Sequence, residues 1–459
     1  MPTMRGILQE IGFYNLVNSH KDVYVIILLR MLRLVGFGAT SLIIALYLRE
    51  LSFDDEYIGL FMTLTFIGDL VSSFLLALVA DQIGRRNVLV ISSVAMVLTG
   101  VVFSIIENRI VLTVAAVIGI LTPSGGEVGP FRSIEQSSIA SLVPAEHRSD
   151  IYSWYTFLGA FCAALGSVLC GKLVDWAQVS LDYTLLDSYK LAFGGYTVLA
   201  VILVILSCTI SSGIEVGIEV GTSVPTTGVS NNGEESPDAA GELARLLPES
   251  AQTKKKKFTI SNLFPKLLRS IVDIVVKLSL LFALDSFASS LVSMSWQSYY
   301  IKQKFHISAS VLGSVFFATG IVSAFTSLLS TSLTKRLGPV VTMVATHLPA
   351  SILLALVPLP SSLYVTMAIL VIRASTQSMD VAPKHVFLAT LVPDSQRTAV
   401  FGWVNVVKTL AQVIGPSVVG VLSQHGVLWV SFIIAGSLKA TYDLGILGTF
   451  LAYNRHHQH

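Results

Sequence analysis

The chain has 459 residues, 53% hydrophobic and 13% charged, with a formal net charge of +2 and a mean hydropathy of +0.73. A soluble domain of this size carries about twice that share of charge, so the composition excludes an ordinary soluble enzyme. No basic face interleaved with aromatics points to a nucleic-acid partner. Cys162, Cys170 and Cys208 lie in apolar runs without paired spacing, so neither a disulfide framework nor a zinc site is implied.

Runs of roughly 20 apolar residues are candidate bilayer spans, and twelve occur. They cover approximately 23–49, 57–79, 87–106, 110–139, 151–174, 190–211, 272–300, 308–333, 340–357, 362–389, 399–422 and 428–452. Residues 1–22 form a mixed, polar segment without a cleavable leader, and 453–459 a short tail. The stretch 212–270 carries GVSNNGEESPDAAGE and Lys254–Lys257, too polar to bury a core and expected to be largely disordered. Its end, 258–269, has the pattern of a surface-lying amphipathic helix. The organisation is therefore a six-span half at 23–211, a linker, and a second half at 271–452.

Basic residues on short loops orient such a bundle. Arg85, Arg86, Arg148, Lys254–Lys257, Lys335, Arg336 and Arg397 share one side, and Glu50, Asp54, Asp55 and Glu56 the other. That places both termini in the cytoplasm, with Lys172, Lys190, Lys302 and Lys304 as exceptions.

Ionisable residues inside spans are costly and mark pathways. In chain order they are Arg30 and Arg33 in the first span, Asp69 in the second, and Glu127, Arg132 and Glu135 in the fourth. Asp285 follows in the seventh, Arg373, Asp380 and Lys384 in the tenth, and Lys408 in the eleventh. At about 1.5 Å per residue, Arg33 lies roughly 16 Å into its span, and Asp69, Asp285 and Arg373 fall at similar depth. This quartet balances in charge and is the expected site of substrate binding or proton coupling. Glu127 joins it because Pro123-Ser124-Gly125-Gly126-Glu127-Val128-Gly129-Pro130 interrupts its helix. Trp296, Gln297, Tyr299 and Tyr300 end the seventh span and read either as shaping the outer vestibule or, the favoured reading, as an interfacial aromatic belt.

Two repeats relate the halves. SIASLVPAEHRSDIYSWY at 138–155 matches FLATLVPDSQRTAVFGWV at 387–404, pairing Pro144 with Pro393, Arg148 with Arg397 and Trp154 with Trp403, 249 positions apart. At an offset of 254, Gly59 pairs with Gly313, Asp81 with Lys335 and Gly84 with Gly338. Glu135 and Lys384 are 249 apart and opposite in charge. Together with Arg132 and Asp380 they are expected to form a gate at the cytoplasmic ends whose pairs break in the inward-open state.

The loop after the second span reads Ala77-Leu78-Val79-Ala80-Asp81-Gln82-Ile83-Gly84-Arg85-Arg86-Asn87. It resembles the signature of the major facilitator superfamily, Gly-x-Leu-Ala-Asp-x-x-Gly-Arg-Arg/Lys, departing from it at Ala77. The resemblance covers the chain outside 212–270. It implies an all-α membrane fold of twelve helices in two pseudo-symmetric halves. It also implies alternating access around a cavity lined by the first, fourth, seventh and tenth helices, with Asp81, Gly84, Arg85 and Arg86 in a cytoplasmic gate alongside Arg148 and Arg397. The exporter motif Gly-Pro-x-x-Gly-Gly is only partly matched by Gly166 to Gly171 and by Gly415 to Gly420, where small residues read as close helix contacts. The arginine of the early fourth helix linked to proton antiport is absent, as is the sugar-porter Pro-Glu-Ser-Pro-Arg.

The implied protein is a secondary transporter of a small solute, coupled to protons, monomeric and embedded in a plasma or organelle membrane. It belongs with the general-substrate and drug-exporter-like members and is neither an enzyme nor a cofactor protein. Export of amphipathic compounds and uptake of a small organic anion are both open, with a non-transporting nutrient receptor as the reading from another class.

Overall fold

A segment crossing lipid must satisfy its own backbone hydrogen bonds, and these apolar runs do so as helices. The computed structural model describes residues 13–119, 121–124, 131–144, 146–215, 269–380, 383–384 and 397–457. The first three spans are α1 (Lys21–Glu50), α2 (Asp55–Ile83) and α3 (Arg85–Ile105). The fourth is split into α4 (Arg109–Ile118) and α5 (Phe131–Leu142); α6 (Arg148–Ser180) and α7 (Leu185–Cys208) complete the first half. The seventh is also split, into α8 (Arg269–Leu291) and α9 (Met294–Phe305). Then come α10 (Ala309–Leu337), α11 (Pro339–Leu356), α12 (Leu363–Gln377), α13 (Arg397–Gln424) and α14 (Trp429–His457). Ten described helical segments are long and apolar enough to cross a bilayer, and Arg109–Ile118 and Leu363–Gln377 are shorter apolar helices. Glu127, Lys254–Lys257 and the expected surface helix at 258–269, apart from Arg269, lie outside the described residues.

Local chemistry sets the helix ends. Gly84 and Gly338, the pair related by the 254 offset, both take positive φ (96° and 81°) and turn the chain between adjacent helices. Asn108 caps α4 by accepting from the Ile110 and Val111 amides, and Thr184 caps α7 by accepting from Asp187. Ser293, in extended conformation, starts α9 after the break at Val292.

Equivalent helices pack equivalently. In the first half α1 packs on α6 and α7, and α3 on α7; in the second, α8 packs on α13 and α14, and α11 on α14. The halves meet along two seams, α6 with α10 and α2 with α13, and where α9 lies on α1. Tyr47, Phe61, Phe103 and Phe193 form an aromatic core in the first half. Large apolar side chains such as Leu98, Ile105 and Val198 stay exposed on the outer surface, as a lipid-facing helix requires.

Candidate solute pathway

Where the interrupted helices converge, a cavity of about 500 Å³ lies between the halves. The break in the seventh span is its wall, through Val292, Ser293 and Met294. Ser295 fixes that break by donating to the Pro123 carbonyl (2.6 Å) and the Ser41 carbonyl (2.9 Å) of the other half. Arg30 enters from α1 and Arg373 from α12, and among the described lining residues there is no carboxylate. Gly159 makes room for Arg30, since a Cβ there would stand 2.4 Å from its Nε. The Arg30 guanidinium also covers the Tyr155 ring at 3.9 Å. Arg373 has a buried Nε without a hydrogen-bond partner.

Arg33, one turn beyond Arg30, does not reach the cavity. It makes a two-pronged pair with Glu135 (2.6 and 2.8 Å), both side chains essentially inaccessible. Tyr155 donates to the same carboxylate at 2.7 Å, and Phe131 lies under the guanidinium. In this structure Glu135 thus pairs with Arg33 and not with Lys384. Residues related by a pseudo-two-fold axis occupy matching places in opposite halves and touch only if they lie on that axis.

Lys384 instead belongs to a second cluster. Asp285 on α8 accepts from Lys384 (3.0 Å) and from Lys439 on α14 (2.7 Å), and Lys384 also pairs with Asp380 (2.9 Å). His347 on α11 sits with Nε2 3.9 Å from Asp285 and Nδ1 2.8 Å from Asp443, which also accepts from Ser351. These groups border a side cavity of about 280 Å³ that shares Ser289, Val292, Arg373 and Gln377 with the larger one. Lys408 on α13 stands within electrostatic reach of Asp285 and Asp380.

The expected mid-depth quartet thus does not form one site. Arg33 is committed to Glu135 and Asp285 to two lysines, Arg373 faces the cavity, and Asp69 lies apart on α2, buried with Oδ1 unpartnered and lining neither cavity. The aromatic belt is also corrected: Trp296, Tyr299 and Tyr300 are buried, and Tyr299 donates to Asp55 at 2.8 Å.

The expected gate residues sit as follows. The Arg85 guanidinium donates to the Ser137 and Ile214 carbonyls and that of Arg86 to Ile210, all within their own half. Glu215 accepts from the Arg85 and Arg86 amides (2.7 and 3.1 Å) and fills the space beside Gly84. Arg148 donates to the Val143 carbonyl, and Arg132 is exposed without an ion pair to Asp380. The side chains of Asp81 and Arg397 are outside those described. Cross-half polar contacts among the described residues gather at the opposite end, near Asp55. Thr63 meets Ser417 at 2.8 Å, and Asp55 accepts from Ser423 at 2.5 Å.

Sequence reasoning missed His347, Lys439, Asp443, Asp175 and Glu215. Lys439 and Asp443 were visible as an i, i+4 pair of charges inside an apolar run; His347 had no signal beyond being polar in the ninth span.

Two pseudo-symmetric helical halves around a partly charged interior cavity define a membrane solute transporter. The sequence profile of the Major Facilitator Superfamily matches residues 26–248 and 278–459, and the chain belongs to that family. A Saccharomyces cerevisiae relative, the uncharacterised membrane protein YJR124C, is 34% identical over 427 residues, covering 92% of each chain. Among solved structures, a D-xylose–proton symporter superposes with a TM-score of 0.65 at 15% identity, covering 92% of this chain and 97% of that one. A bacterial homologue of the human lysosomal transporter Spinster, inward-facing and occupied, gives 0.66 at 13% identity, covering 94% and 96%. The nucleoside transporter NupG gives 0.64 at 13% identity, covering 94% and 99%.

Proposed function

We propose that the chain moves a small organic anion by alternating access, coupled to protons, with both termini in the cytoplasm. The observation that carries this reading is the cavity between the halves. It receives one arginine from each half, and its described lining holds no carboxylate. A guanidinium offers a planar fork suited to carboxylate or phosphate, and a solute anion would complete the unpartnered Nε of Arg373. A neutral amphipathic solute would leave that buried Nε without an acceptor, which favours the anion. One structural neighbour, the human organic anion transporter MFSD10, bears on the same class at a TM-score of 0.55 and 15% identity.

Proton coupling is assigned to the adjoining cluster. His347 borders the side cavity and joins Asp443 behind it to Asp285 in front, which is tied to Lys384 and Lys439. A proton taken up there changes the potential at Arg373, which both cavities share. The seal near Asp55 fits an inward-facing member of the cycle if the Arg85 loop is cytoplasmic.

The test is a thermal-stabilisation screen of the purified protein with small carboxylates and phosphates, followed by uptake into proteoliposomes under an imposed pH gradient. Arg373→Gln should abolish stabilisation by any hit, and Asp285→Asn should remove the dependence of flux on the gradient. Undiminished stabilisation of Arg373→Gln by the anion would overturn the reading.

A further inference from the structure

The two seams between the halves repeat each other residue by residue at the Asp55 end. Asp175, near the end of α6, accepts from the amides of Ala309 (3.0 Å) and Ser310 (2.9 Å), the first residues of α10. Gln424, at the end of α13, accepts from the amide of Asp55 (3.1 Å), the first residue of α2. The offset of 249 takes Asp175 to Gln424, and the offset of 254 takes Asp55 to Ala309. The glycines beneath follow the same rule. A Cβ on Gly171 would meet the Ala309 carbonyl at 2.2 Å, and one on Gly420 the Asp55 carbonyl at 2.7 Å. Likewise Gly313 abuts the Ser167 carbonyl and Gly59 the Pro416 carbonyl.

The two joints are alike in geometry and unlike in charge. The amino end of a helix presents free N–H groups and a partial positive charge. Asp175 meets it with a carboxylate in two charge-assisted bonds, whereas Gln424 offers one bond from a neutral amide. Asp55 is also held by Arg49 (3.2 Å), Tyr299 and Ser423, but these bonds act on its side chain rather than on the helix end.

We propose that Asp175 and Gln424 are the positioning residues of the gate at the Asp55 end. Each caps the helix of the opposing half, and their release opens the cavity on that face. Asp175 is the stronger hold and sets the resting preference for the closed state. No solute or proton chemistry enters, so the proposal outlives a wrong substrate assignment.

The experiment uses the full chain in lipid nanodiscs with Cys208→Ser, spin-labelled at two exposed pairs. Tyr183→Cys with Ser361→Cys reports the Asp55 end, and Gln82→Cys with Arg336→Cys the opposite end. Asp175→Asn, close in shape and able to fold, should raise the long-distance population at the Asp55 end roughly three- to tenfold. The other end should narrow in step, a coupled change that simple loss of structure does not produce. Gln424→Ala should move both distances in the same directions but less. An unchanged distance in Asp175→Asn, widening at both ends, or a larger effect from Gln424→Ala would overturn the proposal.

Discussion

Two charge clusters sit inside this bundle, and their surroundings assign them different work. Arg33 and Glu135 are buried, with Tyr155 and Phe131 packed against them. Removing one partner of such a pair strands a buried charge, at a cost of about 3–5 kcal/mol, while replacing both by apolar groups costs far less. Glu135→Gln should therefore lower the melting temperature sharply, and Arg33→Met combined with Glu135→Leu should restore much of it; thermal unfolding of the purified variants checks this. Arg30 lies over the Tyr155 ring and lines the cavity. In Gly159→Ala the added methyl must push the end of the Arg30 side chain aside. Folding should survive, but stabilisation by small anions should fall several-fold in the same melting assay. That charges lay in the first and tenth spans was legible from the sequence, because an ionisable residue in an apolar run needs no partner to be noticed. Who pairs with whom was not legible. Glu135 finds Arg33 across 102 positions, and no local pattern encodes that approach.

The ten span-length described helices were readable to within about six residues at each end, since lipid enforces an apolar run of fixed length on every crossing. Interruptions were readable only where proline and glycine announced them, as around Pro123 in the fourth span. The break after Leu291 carries no such residue. Val292 and Ser293 leave the helix because Ser293 takes an extended backbone and Ser295 is drawn to the Pro123 and Ser41 carbonyls of the other half. The small residues at 166–171 and 415–420 did announce close helix contacts, though not which helices they meet. Gly59 lies so close to Gly420 that a Cβ would stand 2.8 Å from its backbone, whereas Gly194 has open space within 4 Å. Gly59→Val should therefore wedge α2 from α13 and raise labelling of a cysteine placed at Gln297 by an impermeant maleimide added from the Asp55 side. Gly194→Ala should label like the parent. Equal labelling in all three would mean that this contact does not close the bundle.

At the scale of the molecule, duplication explains both what the halves share and how they differ. Each half builds its own core, α1 on α6 and α7 in one, α8 on α13 and α14 in the other. What joins them is a set of noncovalent seams: α2 on α13, α6 on α10, and α9 on α1. These seams combine backbone-close glycines with the Asp175 and Gln424 caps and the Thr63–Ser417 bond. The covalent connection through 216–268 should then not be needed to keep the halves together. A protease site placed at Asn231-Asn232 should, after cleavage in mild detergent, leave two fragments that elute as one particle on size exclusion and respond to the same anions. Adding Gly59→Val and Asp175→Ala to the cleaved protein, which weakens one seam each, should make the fragments separate. Separation of the fragments without those substitutions would show that the linker, rather than the seams, holds the two halves in register.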